Sequence, residues 1–210
     1  AKGELKAAVE YYRPERESQI LRRVLDRNQG PLSNEVLLRL FREIMSACLA
    51  QQETLKVGFL GPEGTFSQQA LYKHFGHSAQ TLPLASIEEV FQEIESGNAD
   101  FGVVPVENSG QGTIQSTLDM FLTSKLKICG EVELRVHQHL LSRTGRLEDI
   151  ERVYSHPQSL AQCKAWLRAN LPHAEKIPVS SNAEAARRAR VADDCAAIAG
   201  ETAGYVYGLK

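Results

Sequence analysis

The sequence predicts an α/β protein of two lobes preceded by an all-helical segment, and three observations carry that reading. Residues 1 to about 54 show helical periodicity and no strand pattern. From Lys56 the pattern becomes strand, loop, helix, repeated, which is the order that builds a mainly parallel sheet covered by helices. That pattern restarts after a turn at Thr144-Gly145, so the α/β part divides into halves with a cleft between them. The expected domains are 1–54 and 55–210, the second in lobes of about 55–142 and 143–210.

In the helical segment, residues 2–9 read as the tail of a first helix; Pro14 follows Tyr11-Tyr12-Arg13 and suits a first helical turn, so a second helix is expected over 14–26 with Ile20, Leu21, Val24 and Leu25 on its apolar side. Ser33 or Asn34 then caps a third helix, whose apolar stripe runs Val36, Leu37, Leu40, Phe41, Ile44, Met45, Cys48 and Leu49. About 19 residues make a rod of about 28 Å. Three helical pieces of this size close a poor core by themselves, which points to a homodimer through these amino-terminal helices.

The first lobe reads as strand 56–60, helix 68–75, strand 81–85 and a helix over 87–96 capped by Ser86. Next comes an apolar run, 101–106, of the continuous kind expected for a strand buried on both faces. It ends in Glu107-Asn108-Ser109, then Gly110 and Gly112, with Thr113 expected to cap a helix over 114–122. Strands are expected over 128–134 and 137–142. The second lobe reads as strand 152–155, helix 159–170, strand 177–179, a helix over 183–191 capped within Ser180-Ser181-Asn182, strand 196–199 and a last segment, 200–207.

Composition excludes several classes. The 24 basic and 26 acidic residues leave a net charge of −2, so the global balance favours neither a nucleic acid nor an anionic membrane as partner. No apolar run approaches the roughly 20 residues that span a bilayer, and the start, Ala-Lys-Gly-Glu-Leu-Lys, lacks the apolar core of a signal peptide. A cytoplasmic protein with no membrane partner is expected. Cys48, Cys129, Cys163 and Cys195 form no Cys-x-x-Cys pair and read as reduced thiols. His137 and His139 share a face of an expected strand but lack a third ligand, so no metal site is assigned.

Four strand-to-helix junctions carry similar chemistry: 64–67, 109–113, 155–159 and 180–182. Each offers hydroxyl or amide side chains and is expected to offer free backbone N–H groups, a combination suited to a small anion. Gly61 to Gly64 follows neither the P-loop nor the Gly-x-Gly-x-x-Gly pattern, so carboxylates fit better than phosphates. Glu107 is the carboxylate placed at a strand end, and His156 the histidine in a junction. Such a set favours proton donation to a leaving group over nucleophilic attack.

Several motifs resemble those of prephenate dehydratases, in that family's order: Gly61-Pro-Glu-Gly-Thr-Phe-Ser67, Val104-Pro-Val-Glu-Asn-Ser109 with Gly112-Thr113, Ser155-His-Pro-Gln158 with Gln162-Cys163, and Ala196-Ala-Ile-Ala199 with Tyr207-Gly-Leu209. The resemblance implies a two-lobed fold like the type 2 periplasmic binding proteins and conversion of prephenate to phenylpyruvate, water and carbon dioxide, with no cofactor. It implies catalytic roles for Glu107, Asn108 and Gln158, and substrate contacts from Thr65, Ser67, Ser109, Thr113, Ser155, His156 and Ser180. The amino-terminal segment resembles the end of a chorismate mutase domain. There the resemblance implies contacts to chorismate from Lys6, Arg16, Glu17, Cys48 and Gln52, with Cys48 where that family usually has serine. In the dehydratase family a Thr-Arg-Phe motif follows some twenty residues after Tyr-Gly-Leu, then a phenylalanine-sensing ACT domain. This chain ends at Lys210, so the resemblance implies a fragment lacking those parts and the start of the mutase domain.

Two other readings share the two-lobed pattern. A ligand-sensing regulator without catalysis needs a basic DNA-binding module, whereas the residues through Thr54 carry nine basic and eight acidic groups and no evident helix-turn-helix. A transport-type binding protein needs a signal peptide.

Overall fold

The computed structural model describes residues 12–108 and 112–210. The chain forms two compact units. One runs to Leu60 and resumes over Ala70–Glu133; the other comprises Gly61–Gln69 and Leu134–Lys210.

The first unit begins with helices α1 (Pro14–Asp26) and α2 (Asn34–Ala50). Pro14 opens α1 as expected, and Ser33 Oγ caps α2 by accepting from Val36 N at 3.4 Å. Three parallel strands follow in the order β2-β1-β3, with β1 (Lys56–Leu60) between β2 (Gln80–Leu84) and β3 (Phe101–Val103). The period-two alternation of β1 gives the sheet two unlike faces. Val57 and Phe59, both fully buried, pack with Leu71 and Phe75 of α3 (Phe66–Phe75) and with Tyr12, whose ring meets Phe101 edge-on at 5.1 Å. On the other face Gly58 and Gly102 sit side by side in register. A Cβ on Gly102 would come 2.5 Å from Ile94 Cδ1, so the two glycines let α4 (Ile87–Glu95) lie close against the strands.

The run 101–106 departs from expectation. β3 stops at Val103, and Val106 is 43% exposed. β3 is an edge strand, and Pro105 has no N–H to extend a ladder. The chain then forms a hairpin of β4 (Glu107–Asn108) and β5 (Gly112–Thr113) with Glu107 opposite Thr113. Thr113 therefore belongs to a strand and does not cap the next helix, α5 (Gln115–Thr123), which starts after Ile114 without a side-chain cap. Its anchor is Thr117, fully buried, whose hydroxyl donates to Pro105 O at 2.7 Å. The strand expected over 128–134 does not form. Ile128 is 70% and Val136 51% exposed, so the apolar alternation there meets no covering layer, and β6 starts only at His139 (His139–Ser142).

The second unit holds a sheet of order β6-β9-β7-β8, with β7 (Arg152–Ser155), β8 (Glu175–Pro178) and β9 (Cys195–Ala199) parallel and β6 antiparallel to β9. Every residue of β9 is buried. Cys195, Ala197 and Ala199 face the alanine-rich α8 (Asn182–Ala189), while Ala196 and Ile198 face Val153, Leu167 and Leu171. Small side chains on both strand and helix allow that close approach. The helix expected over 159–170 is two, α6 (Pro157–Gln162) and α7 (Lys164–Asn170), broken at Cys163. α9 (Glu201–Tyr207) ends at Gly208 in the left-handed conformation, and Lys210 exchanges two backbone hydrogen bonds with Ser142.

Candidate active site

In the second unit the carboxyl ends of β7, β8 and β9 lie along one sheet edge, because the three strands are parallel. That edge is where ligands bind in open α/β sheets. Three of the four predicted junctions belong to this unit, and the fourth, 109–113, belongs to the other.

A polar network spans the edge. Ser155, fully buried, shares its hydroxyl proton between Ile198 O at 2.8 Å and Asn182 Oδ1 at 2.9 Å. Asn182 Oδ1 also accepts from His156 N at 3.1 Å, and its Nδ2 donates to Ser159 Oγ at 2.9 Å. Ser159 Oγ meets Gln138 Nε2 at 3.1 Å. His156 is the N-cap of α6: its Nδ1 accepts from Gln158 N at 3.3 Å, which places a neutral ring's proton on Nε2. Ser181, not Ser180, caps α8 by accepting from Glu184 N at 3.0 Å, and Ser180 is exposed.

The loop 61–69 is built the same way. Gly64, at φ +82°, sits where a Cβ would come 3.2 Å from Ala203 Cα and Tyr207 Cε2, so the loop lies directly on α9. Tyr207 Oη donates to Glu63 O at 3.2 Å. Thr65 Oγ1 caps α3 by accepting from Gln68 N at 3.4 Å, and the buried Gln68 returns its Oε1 to Gly64 N at 2.6 Å. Ser67 is half-buried on the first turn of α3.

These bonds correct the expectation of free N–H groups at the junctions. The N–H groups of Gly64, Gln68, His156, Gln158 and Glu184 all have protein side-chain acceptors. Those five groups are therefore not left for an anion, and neighbouring side chains such as Ser67 gain weight as its donors.

In the first unit Glu107, Asn108 and Thr113 are exposed on the β4-β5 hairpin, and Ser109 lies outside the described residues. A cavity of about 240 Å³ gathers Arg16 and Glu17 of α1 with Cys48 of α2 and the following Gln52, four residues nominated from the sequence, and adds Tyr12 and Arg42. Lys6 lies outside the described residues. Burial raises the Glu17 carboxyl above the ordinary range, against the downward pull of Tyr12 and Arg42. Burial and the neighbouring Glu17 likewise raise the Tyr12 hydroxyl. Among the described residues no group of three or more His, Cys, Asp or Glu is placed to hold a metal ion, and no helix is long and apolar enough to cross a membrane.

Sequence reasoning did not nominate Gln68 or Arg42, and it named Asn182 only as part of the junction 180–182. Gln68 had a readable signal, since Thr65-x-x-Gln68 is a capping-box pattern. So had Arg42, which with Met45, Leu49 and Gln52 follows helical spacing on the cavity side. For Asn182 no local pattern pointed to its partners, which are 23 to 27 residues away.

Comparison with known proteins gives the following. A family model described as prephenate dehydratase matches residues 57–210, and one described as chorismate mutase type II matches residues 2–53. A bifunctional chorismate mutase/prephenate dehydratase of Stutzerimonas stutzeri is 56% identical over 201 residues, covering 95% of this chain and 55% of its own length. The chain thus spans about half the length of the curated relatives it matches. Among solved structures, the prephenate dehydratase from Arthrobacter aurescens in complex with L-Phe is 32% identical, with a TM-score of 0.60, covering 74% of this chain and 54% of the other. A structure described as GqqA, a novel type of quorum quenching acylase, is 25% identical, with a TM-score of 0.67, covering 74% and 57%. The likeness bears out the α/β, two-lobed, type 2 periplasmic-binding-protein-like fold expected after the helical segment.

Proposed function

This chain belongs to the prephenate dehydratase family, and we propose that it takes part in converting prephenate to phenylpyruvate, water and carbon dioxide on the way to phenylalanine. Its first 54 residues are, on this reading, the carboxyl-terminal part of a chorismate mutase domain that converts chorismate to prephenate, and residues 55–210 are the dehydratase domain. A cytoplasmic protein paired through its amino-terminal helices completes the proposal.

The observation that carries the reading is the sheet edge of the second unit, where the junctions 155–159 and 180–182 lie at the carboxyl ends of parallel strands and are held by each other's side chains, while the loop 61–69 is seated on α9. Prephenate is a dianion with a ring hydroxyl. Groups around Thr65, Ser67, His156 and Gln158 are assigned to its carboxylates. The buried Ser155 holds this wall in place, and the exposed Ser180 reaches ligand only from the rim. Glu107 and Asn108, with Ser109 and Thr113, are assigned to the ring hydroxyl and its proton donor.

The chemistry then balances. The bond from the ring to its carboxylate breaks, and its electron pair enters the ring. The hydroxyl leaves with one proton as water, and the ring becomes aromatic. The reaction asks for no cofactor, because the departing carboxylate supplies the electrons. The chief task of the protein is to place a proton at the leaving oxygen and to hold the dianion without neutralising the carboxylate that must depart.

In the mutase segment, Arg16 and Arg42, two of the three arginines that line the cavity, are assigned to the carboxylates of chorismate, with Glu17, Cys48 and Gln52 assigned to its polar atoms. The test is phenylpyruvate release from prephenate. Asn108→Ala and Gln158→Ala are expected to lower kcat/KM by about 10²-fold or more. Near-normal turnover in both variants would remove their assignment, and no turnover in the unaltered protein would remove the reading.

A further inference from the structure

The network at the second unit's sheet edge ends in an atom without a partner. Gln138 immediately precedes β6, and β6 pairs with β9 so that His139 lies opposite Ala199. The antiparallel register thus brings Gln138 to the edge where β7 and β9 end. Its Oε1 is buried and, among the described residues, has no hydrogen-bond partner. Buried polar atoms are seldom left in that state unless a ligand or ordered water completes them.

The direction of the hydrogen bonds identifies what is missing. The backbone N–H of His156 can only donate, so Asn182 must present its oxygen there and its Nδ2 to Ser159. Ser159 Oγ then accepts from Asn182 and has one proton to give. If Gln138 also directs its Nε2 at Ser159, the hydroxyl accepts twice, and neither its proton nor the Gln138 oxygen has a partner among the described residues. Exchanging the amide oxygen and nitrogen of Gln138, two ends that differ little in shape, repairs both faults. Ser159 donates to Gln138 Oε1 at the same 3.1 Å separation, and the Gln138 NH₂ takes the buried position. The chain of donors then runs one way, from His156 N through Asn182 and Ser159 to Gln138.

We propose that Gln138 is a substrate-binding residue whose carboxamide N–H donates to a carboxylate of the bound dianion; the inference rests on the dehydratase reading and extends it. A group ending in a buried NH₂ calls for an acceptor. Along this edge the N–H groups of Gly64, His156 and Gln158 are already bonded to side chains, so an amide such as this one supplies a donor that they do not.

The test measures prephenate turnover and thermal midpoint in this 210-residue chain for Gln138→Leu and Gln138→Glu. Gln138→Leu is expected to raise KM by about 10- to 100-fold with kcat changed less than about threefold, the loss of a hydrogen bond to a charged group, and to leave the thermal midpoint unchanged or higher. Gln138→Glu is expected to raise KM further at neutral pH and to recover part of it as the pH falls and the new carboxyl takes up a proton. An unchanged KM in Gln138→Leu, with or without a lower midpoint, overturns the proposal while the dehydratase reading stands, since a structural amide or a water site gives that result. Failure of the unaltered chain to bind or convert prephenate overturns both.

Discussion

Two glutamates of this molecule sit in opposite environments and so respond oppositely to pH. Glu184 accepts hydrogen bonds from Arg187 and Arg188 at 2.6 to 2.8 Å, and these hold its carboxyl down at about 2. Its contribution to stability is therefore complete above its ordinary value of 4.5 and is lost as the pH falls towards 2. Both arginines are largely exposed, so solvent screens the cluster, and Glu184→Gln should lower the thermal midpoint at pH 7 by at most a few °C. Glu17 is raised instead, chiefly by burial. The folded state then holds the Glu17 proton more tightly than the unfolded chain, and stability falls as pH rises above the ordinary carboxylate range. Glu17→Gln should raise the midpoint at pH 7 and match the parent near pH 4, while Glu184→Gln should converge with it only at lower pH. Parallel melting curves across pH 2 to 7 would test both, and the same sign for both variants would be the wrong result.

Among the elements, the loop 61–69 shows how a turn can be fixed by what it lies against. Gly64 and Gly97 both have positive φ, +82° and +75°, yet a Cβ on Gly97 meets nothing within 4 Å, whereas one on Gly64 meets the Cα of Ala203. Gly97→Ala should cost about 1 kcal/mol, the left-handed conformation alone. Gly64→Ala should cost about 2 to 3 kcal/mol, because backbone cannot yield as a side chain can. Denaturant midpoints of the two variants would check this, and equal losses would mean that the loop moves freely off α9. The sequence made both glycines visible as turn residues, but it could not say which one carried a helix at its back.

For the whole molecule, α2 is the element left unfinished. None of its seventeen residues is buried, and Leu40 and Ile44 are 45% and 57% exposed. An amphipathic helix in that state is suited to a partner surface, which accords with the proposed pairing through the amino-terminal helices. Ile44→Glu should shift the protein from dimer to monomer in sedimentation equilibrium at micromolar concentration, since a charge in an apolar contact must be desolvated. A parent protein that sediments as a monomer would dismiss the pairing.

By itself the sequence determined the course of most elements, because periodicity, caps and prolines act over three or four residues. Pro14, Ser33 and Ser86 start helices where expected, and the apolar run 196–199 lies in the buried strand Cys195–Ala199. It also placed Arg16, Glu17, Cys48 and Gln52, which line one cavity. Where it erred, as over 128–134 and at Thr113, the local pattern was present but the covering layer or partner strand differed. Tertiary structure alone decided how the polar groups of the candidate site are spent. Ser155 meets Asn182 and Ile198 across 27 and 43 residues, and Gln138 meets Ser159 across 21. Such pairings arise from the register of strands distant in sequence, and no local pattern carries them. A motif can therefore name the residues at a site, while the fold settles which of their donors and acceptors remain for a ligand.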